Sequence, residues 1–267
     1  MPYTSYKTYT LIKMKRIIAL SKITFLEGVR GKIFYNLLIF GILMACSSTV
    51  LSMLSIGDKA KIVKDVCLLA ISILGIGMII VLGILTMHND LDKGLVHNLI
   101  SKPLSKAEYL LGKFLGIGGL VLINTIIITI VMSLLVWIYK GGFTWVLYYS
   151  ILLIFIELMI LNAMVILFST FVNPNLAFLG ILALYVIGHS TTEAKQLIVK
   201  RADFITRHVF SIICYILPNF DYLDIKIQAV HDLKVTLYQL FYSSLYGVSY
   251  TCVLLFLAVW IMKKKDI

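Results

Sequence analysis

Long apolar runs separated by short charged stretches dominate the chain. Crossing about 30 Å of hydrocarbon takes about 20 helical residues. Four runs meet that length: Ile33–Ile56, Val66–Met87, Phe114–Ile138 and Leu240–Met262. A further apolar region from Leu147 to Ser190 is too long for one helix, and Asn173-Pro174-Asn175 breaks it as a tight turn. It divides into Leu147–Phe171 and a short Leu176–Ser190. The pattern predicts an all-α, polytopic membrane protein: one six-helix transmembrane domain over residues 33–262, a connecting loop at 88–113, a long loop at 191–236 and a short tail at 263–267.

The remaining segments predict helices of other kinds. In Leu11–Arg30, the residues Leu11, Met14, Ile18, Phe25 and Val29 fall near one helical face, while charged side chains point elsewhere. This is the pattern of an amphipathic elbow helix lying on the membrane surface, with Lys15, Arg16, Lys22 and Arg30 toward lipid phosphates. Residues 1–32 thus form an N-terminal unit outside the spans. Phe204–Leu217 is apolar but short and holds Arg207 and His208, which suits an amphipathic or re-entrant helix within the long loop.

Composition sharpens the class. Of 267 residues 60% are hydrophobic and 14% charged, against about 25% charged in a typical soluble domain. A net charge of +11 would suit nucleic acid, but the charges cluster between apolar runs, where Lys and Arg act as topology signals. Lys7 to Lys32, then Lys93, Lys102, Lys106 and Lys113, then Lys263–Lys265 fall on one side of a six-span chain. The positive-inside rule makes that side the cytoplasm and puts both termini there, in an inner (plasma) membrane. Lys59, Lys61, Lys64 and Lys140 fall in short loops on the other side, where Trp137, Tyr139, Phe143, Trp145, Tyr148 and Tyr149 form an interfacial belt. The first apolar run is full-length, so no cleavable signal peptide is expected.

Candidate chemistry is sparse. The four cysteines lack metal-ligand spacing and read as packing residues. The five histidines are scattered, so no metal site is expected. No phosphate-binding glycine loop and no hydrolase or redox motif occurs, so the chain is not expected to be an enzyme. Glu157 is the one acidic residue deep inside a predicted span; Asn162 and Asn124 are candidate partners, and a role facing a transport path is the other reading. Gly112 and Gly116 form a small-xxx-small pair suited to close helix packing.

The richest stretch is Asn89–Lys113. Asp90 and Asp92 suit a helix N-terminus. Leu91, Leu95 and Leu99 share a face, Pro103 stops that helix, and Ser105 with Glu108 makes a capping box for the next. The leucine face fits either a partner groove or the bilayer surface.

The acidic residues, the glycine, the leucine-rich helix and then Ser101-Lys102-Pro103-Leu104-Ser105-Lys106-Ala107-Glu108-Tyr109 resemble the type 2 family of ABC transporter permeases. Within it they look closest to the branch linked to multi-copper enzyme maturation and nitrous oxide reductase assembly. Leu217-Pro218-Asn219-Phe220-Asp221 and the basic tail agree. The resemblance implies that Asp90, Leu91, Gly94, Leu95, Asn98, Leu99, Ser101, Lys102 and Pro103 form a coupling helix. It also implies two copies of a separate ATP-binding subunit, carrying ATP and Mg, and a second copy of this permease. Membrane lipid and an external protein are further expected partners, nucleic acid is not, and the chain itself needs no cofactor. The output is export or mechanical work on that external partner. The rival reading is a membrane scaffold that recruits partners without transport.

Overall fold

The computed structural model describes residues 3–54, 58–92, 105–142, 144–191 and 217–264. Every regular element among them is helical. The long helices are α1 (Tyr3–Arg30), α2 (Lys32–Leu54), α3 (Lys59–Asp92), α4 (Lys106–Ile138), α5 (Trp145–Ser169), the shorter α6 (Pro174–His189) and α8 (Leu237–Lys264). A 3-10 turn (Phe220–Tyr222) and a short α7 (Lys226–Val230) lie between α6 and α8. Five helices, α2, α3, α4, α5 and α8, are long and apolar enough to cross a membrane. At 16 residues, α6 falls short of that length.

Each helix starts and stops for local reasons. Ser105 and Glu108 form the expected capping box at α4, each accepting the other's backbone N–H at 3.2 Å. Pro174 occupies the first turn of α6, where its missing N–H costs nothing. The aromatic side chains Trp137, Trp145 and Tyr148 stand exposed around the α4–α5 turn, as an interfacial belt requires.

The bundle is built around α3 and α5, whose apolar windows are the most buried, while α2 and α8 are the least. Asp232, in the left-handed region at φ 52°, is held by Lys64 Nζ at 3.2 Å and the Thr144 hydroxyl at 3.0 Å. This clasp joins the start of α3, the α4–α5 turn and the approach to α8 at one end. At the other end Lys106 Nζ donates to the Met262 carbonyl at 3.1 Å, capping the last turn of α8. That end also carries the junctions to residues 93–104.

Two sequence expectations change here. Lys64 does not sit in a loop: α3 begins at Lys59, and the Lys64 side chain is buried in its second turn because Asp232 supplies a counter-charge. Asp90 does not open a helix but lies in the last turn of α3. The dipole disfavours an acid there, and a lysine on α4 offsets it, as described below.

The elbow segment is helical throughout Leu11–Arg30, and its buried face agrees with the expected one only in part: Phe25 and Val29 pack against the core. Met14 and Ile18 are exposed, and the face against α4 runs through Leu20, Thr24 and Gly28. Small residues decide this. A Cβ on Gly112 would come within 2.5 Å of Leu20, and one on Gly116 within 2.6 Å of Thr24 and 2.9 Å of the Ser21 carbonyl. The glycine pair of α4 is therefore a groove for α1. Gly116→Ala is expected to push α1 outward, because backbone as well as side chain obstructs the added methyl, at a cost of about 1–3 kcal/mol. A thermal unfolding midpoint in lipid nanodiscs equal to that of the parent would contradict it.

Candidate functional site

At the loop end, Asp90, Tyr109 and Lys113 meet between α3 and α4. Lys113 Nζ lies 2.7 Å from Asp90 Oδ2, and the Tyr109 hydroxyl donates to the same oxygen at 2.9 Å. Tyr109 and Lys113 are one helical turn apart and reach together. Glu27 of α1 approaches Lys113 Nζ at 4.0 Å, so three helices share one charge cluster. Both the lysine and the aspartate are largely withdrawn from water, at 3% and 12% side-chain exposure. The cluster borders a cavity of about 680 Å³ whose apolar wall comes from Leu20, Ile23 and Leu26, with Arg30 at its edge.

Of the residues expected to couple to a partner, Asp90 is thus a buried anchor at the base of the loop, and Leu91 continues α3. Gly94, Leu95, Asn98, Leu99, Ser101, Lys102 and Pro103 lie outside the described residues, as does all of the expected helix over Phe204–Leu217 except Leu217. Of the expected lipid-facing cations, Lys15, Lys22 and Arg30 are exposed and Arg16 is half-buried. Sequence reasoning missed Tyr109, Lys113 and Glu27. The available signal was the four-residue spacing of Tyr109 and Lys113 next to an acid-bearing helix end.

A second polar site lies in the middle of the bundle. Glu157 is buried on α5, roughly 18 Å along the helix from Trp145 at about 1.5 Å per residue. Its Oε1 is 3.3 Å from His189 Nε2 at the end of α6. The Tyr185 hydroxyl, one turn earlier on α6, is 3.0 Å from the same nitrogen. Neither expected asparagine serves Glu157. Asn162 donates instead to the Phe114 carbonyl at 2.9 Å, and Asn124 is buried with neither amide atom hydrogen-bonded.

The segment Leu217–Val230 closes over this site. Pro218 and Phe220 seat against Gly188, whose Cβ would come within 2.8 Å of the Pro218 carbonyl. The Phe220 ring stacks near both Tyr185 and His189, with centroids at 5.7 and 5.4 Å. Tyr246 of α8 receives the Asn219 N–H at 2.9 Å, and Ser243 donates to the Tyr222 carbonyl at 2.6 Å. Leu223 packs where Gly247 of α8 meets Ile156 of α5. Gly247 is roughly 15 Å along α8 from Leu237, so irregular backbone reaches the middle of the bundle. Such backbone is tolerated at membrane depth only where protein surrounds it.

Among the described residues no group of three or more metal-ligating side chains occurs. The features together define a multi-pass membrane protein with a charged cluster at the base of one loop and a polar site under a re-entrant segment. Residues 11–267 match the family model described as ABC-2 family transporter protein, so nearly the whole chain belongs to that family. The chain is a membrane component of the ABC transporter permease class. No curated protein matches it.

Proposed function

We propose that this chain is the membrane-spanning subunit of an ABC transporter, working as a pair with two copies of a separately encoded ATP-binding subunit. The family match over residues 11–267 carries the reading. The sequence supports the separate ATPase, because it holds no phosphate-binding glycine loop of its own. Within the family, the Ser101–Tyr109 motif favours the multi-copper enzyme maturation branch, and the work performed is export or mechanical action on an external protein. The chain resides in the inner membrane, with α6 as a sixth, incomplete crossing and both termini in the cytoplasm. Residues 90–103 are the coupling helix, with the Asp90–Lys113 anchor fixing where it leaves the bilayer. Helix α1 is the elbow at the cytoplasmic surface.

Co-purification of the tagged chain from its own host membrane tests this. The expected result is a stoichiometric ATP-binding protein and ATP turnover in lipid that depends on both proteins. A chain that assembles with other proteins but with no ATPase, and shows no ATP-linked change, is the scaffold of the rival reading. Topology has its own test: a cysteine placed at Lys265 should react with an impermeant thiol reagent only after the membrane is opened. Labelling from outside intact cells would reverse the orientation.

A further inference from the structure

We propose that Glu157 and His189 form an intramembrane proton-binding site that holds one shared proton while the Leu217–Val230 segment is seated. The inference does not depend on the transporter reading. Its basis is the charge balance of a site where Glu157 is fully buried and His189 about three-quarters so. Both Glu157 oxygens are buried without a well-aligned hydrogen bond, and so is His189 Nδ1. A bare carboxylate there would be an uncompensated charge, which interiors do not tolerate. One proton on the pair leaves it neutral in sum, either as carboxyl beside imidazole or as carboxylate beside imidazolium, with Nε2 and Oε1 3.3 Å apart. Neither zero protons nor two does so.

Among the described residues, the other ionisable groups around the pair do not replace that proton. From α6, the Tyr185 hydroxyl reaches His189 Nε2 and also interacts with the Glu157 carboxyl, supplying a dipole but no net charge. From the seated segment, Asp221, Asp224 and Lys226 act on the pair electrostatically. Lys226 is itself 3.7 Å from Asp224, so much of its charge is already compensated. Ser243 and Tyr246 of α8 hold the segment through its backbone rather than touching the carboxylate.

Unseating the segment admits water to the pair. Solvated glutamate and histidine titrate near about 4.3 and about 6.5. Above about pH 6.5 the open state therefore carries no proton on the pair, whereas the seated state carries one. The seated state binds more protons, so rising pH disfavours it. The ratio of open to seated forms grows by about tenfold per pH unit until the seated pair itself releases its proton. Between about pH 4.3 and about pH 6.5 both states hold one proton and the dependence vanishes.

Thiol accessibility in proteoliposomes reads this directly. In a background with Cys46, Cys67, Cys214 and Cys252 replaced, Leu223→Cys reports the seat and Asp58→Cys, on an exposed turn at the same end, reports reagent chemistry alone. The labelling rate at 223 divided by that at 58 is expected to be flat near about pH 6 and to rise above about pH 6.5, by at most about tenfold per unit, levelling off where the seated pair loses its proton. Glu157→Gln, which keeps the shape but cannot ionise, should abolish the climb. A flat ratio in the parent, or a climb that survives Glu157→Gln, overturns the proposal. Should the Leu223→Cys protein fail to insert, pH-difference infrared spectroscopy of the unmodified chain gives the same decision. A carboxyl or imidazolium band that titrates in the parent and is lost in Glu157→Gln supports the site, and its absence in the parent refutes it.

Discussion

Leu95→Asp is expected to leave the protein inserted and folded while stripping it of its ATP-binding partner. On the proposed reading Leu91, Leu95 and Leu99 share one face of the coupling helix, and Leu95 fills a cleft in the ATPase. Burying a leucine side chain contributes about 1.5–3 kcal/mol. A carboxylate at that position forfeits the burial and adds the cost of desolvating a charge. Two such faces in a permease pair double the loss. The bundle is spared, because residue 95 lies beyond the last turn of α3 and beyond the Asp90 anchor. Lys22→Ala, on the exposed side of α1, makes a suitable control. Lys106 does not, since its ammonium caps α8. Pull-down of the ATPase and ATP turnover in lipid are the measurements. Wild-type retention of both by Leu95→Asp would remove residues 90–103 as the coupling element.

Lys113→Met is expected to destabilise the bundle itself. The lysine is buried and its partner nearly so, and deleting one member of a buried pair leaves the other charge uncompensated, at about 3–5 kcal/mol. The Tyr109 hydroxyl still donates to Asp90 at 2.9 Å, which holds the loss toward the lower figure. Replacing both charges tells the pair apart from simple packing: Lys113→Met with Asp90→Asn should recover most of the stability, because the charge that remains, on Glu27, is half-exposed. Denaturant unfolding in mixed micelles gives the comparison. A single variant within about 0.5 kcal/mol of the parent, the range of an ordinary surface change, would show that the pair carries no structural weight.

What the sequence made legible follows from what each feature depends on. The long helices were readable because each meets the bilayer alone, so length and apolarity decide them. The Ser105–Glu108 cap was readable because both halves lie within one turn. Asp90 was misplaced because the local rule, acids at helix starts, competes with a lysine on the next helix that a one-dimensional reading does not bring close. The burial face of α1 was read only in part for a related reason. Hydrophobicity marked Met14 and Ile18 as well as Phe25 and Val29, but the glycine groove that seats Leu20, Thr24 and Phe25 belongs to α4. Glu157 stood out as an intramembrane acid, yet its neighbour is a histidine at the end of an apparently short span. A segment from farther along the chain packs against the end of that span, with Phe220 beside His189 and Gly188.

The seam between α1 and α4 also has a consequence for the order of synthesis. The face of α1 that carries Leu20, Thr24, Phe25 and Gly28 finds its groove in Gly112, Gly116 and Gly119, which leave the ribosome about ninety residues after Gly28. At about 5–20 residues per second, α1 waits roughly 5–20 seconds without its partner. Its contacts with α2, made meanwhile, are few. The first helix to be made therefore docks only once α4 has emerged, and a chain truncated before Gly112 would carry an N-terminal helix without its groove.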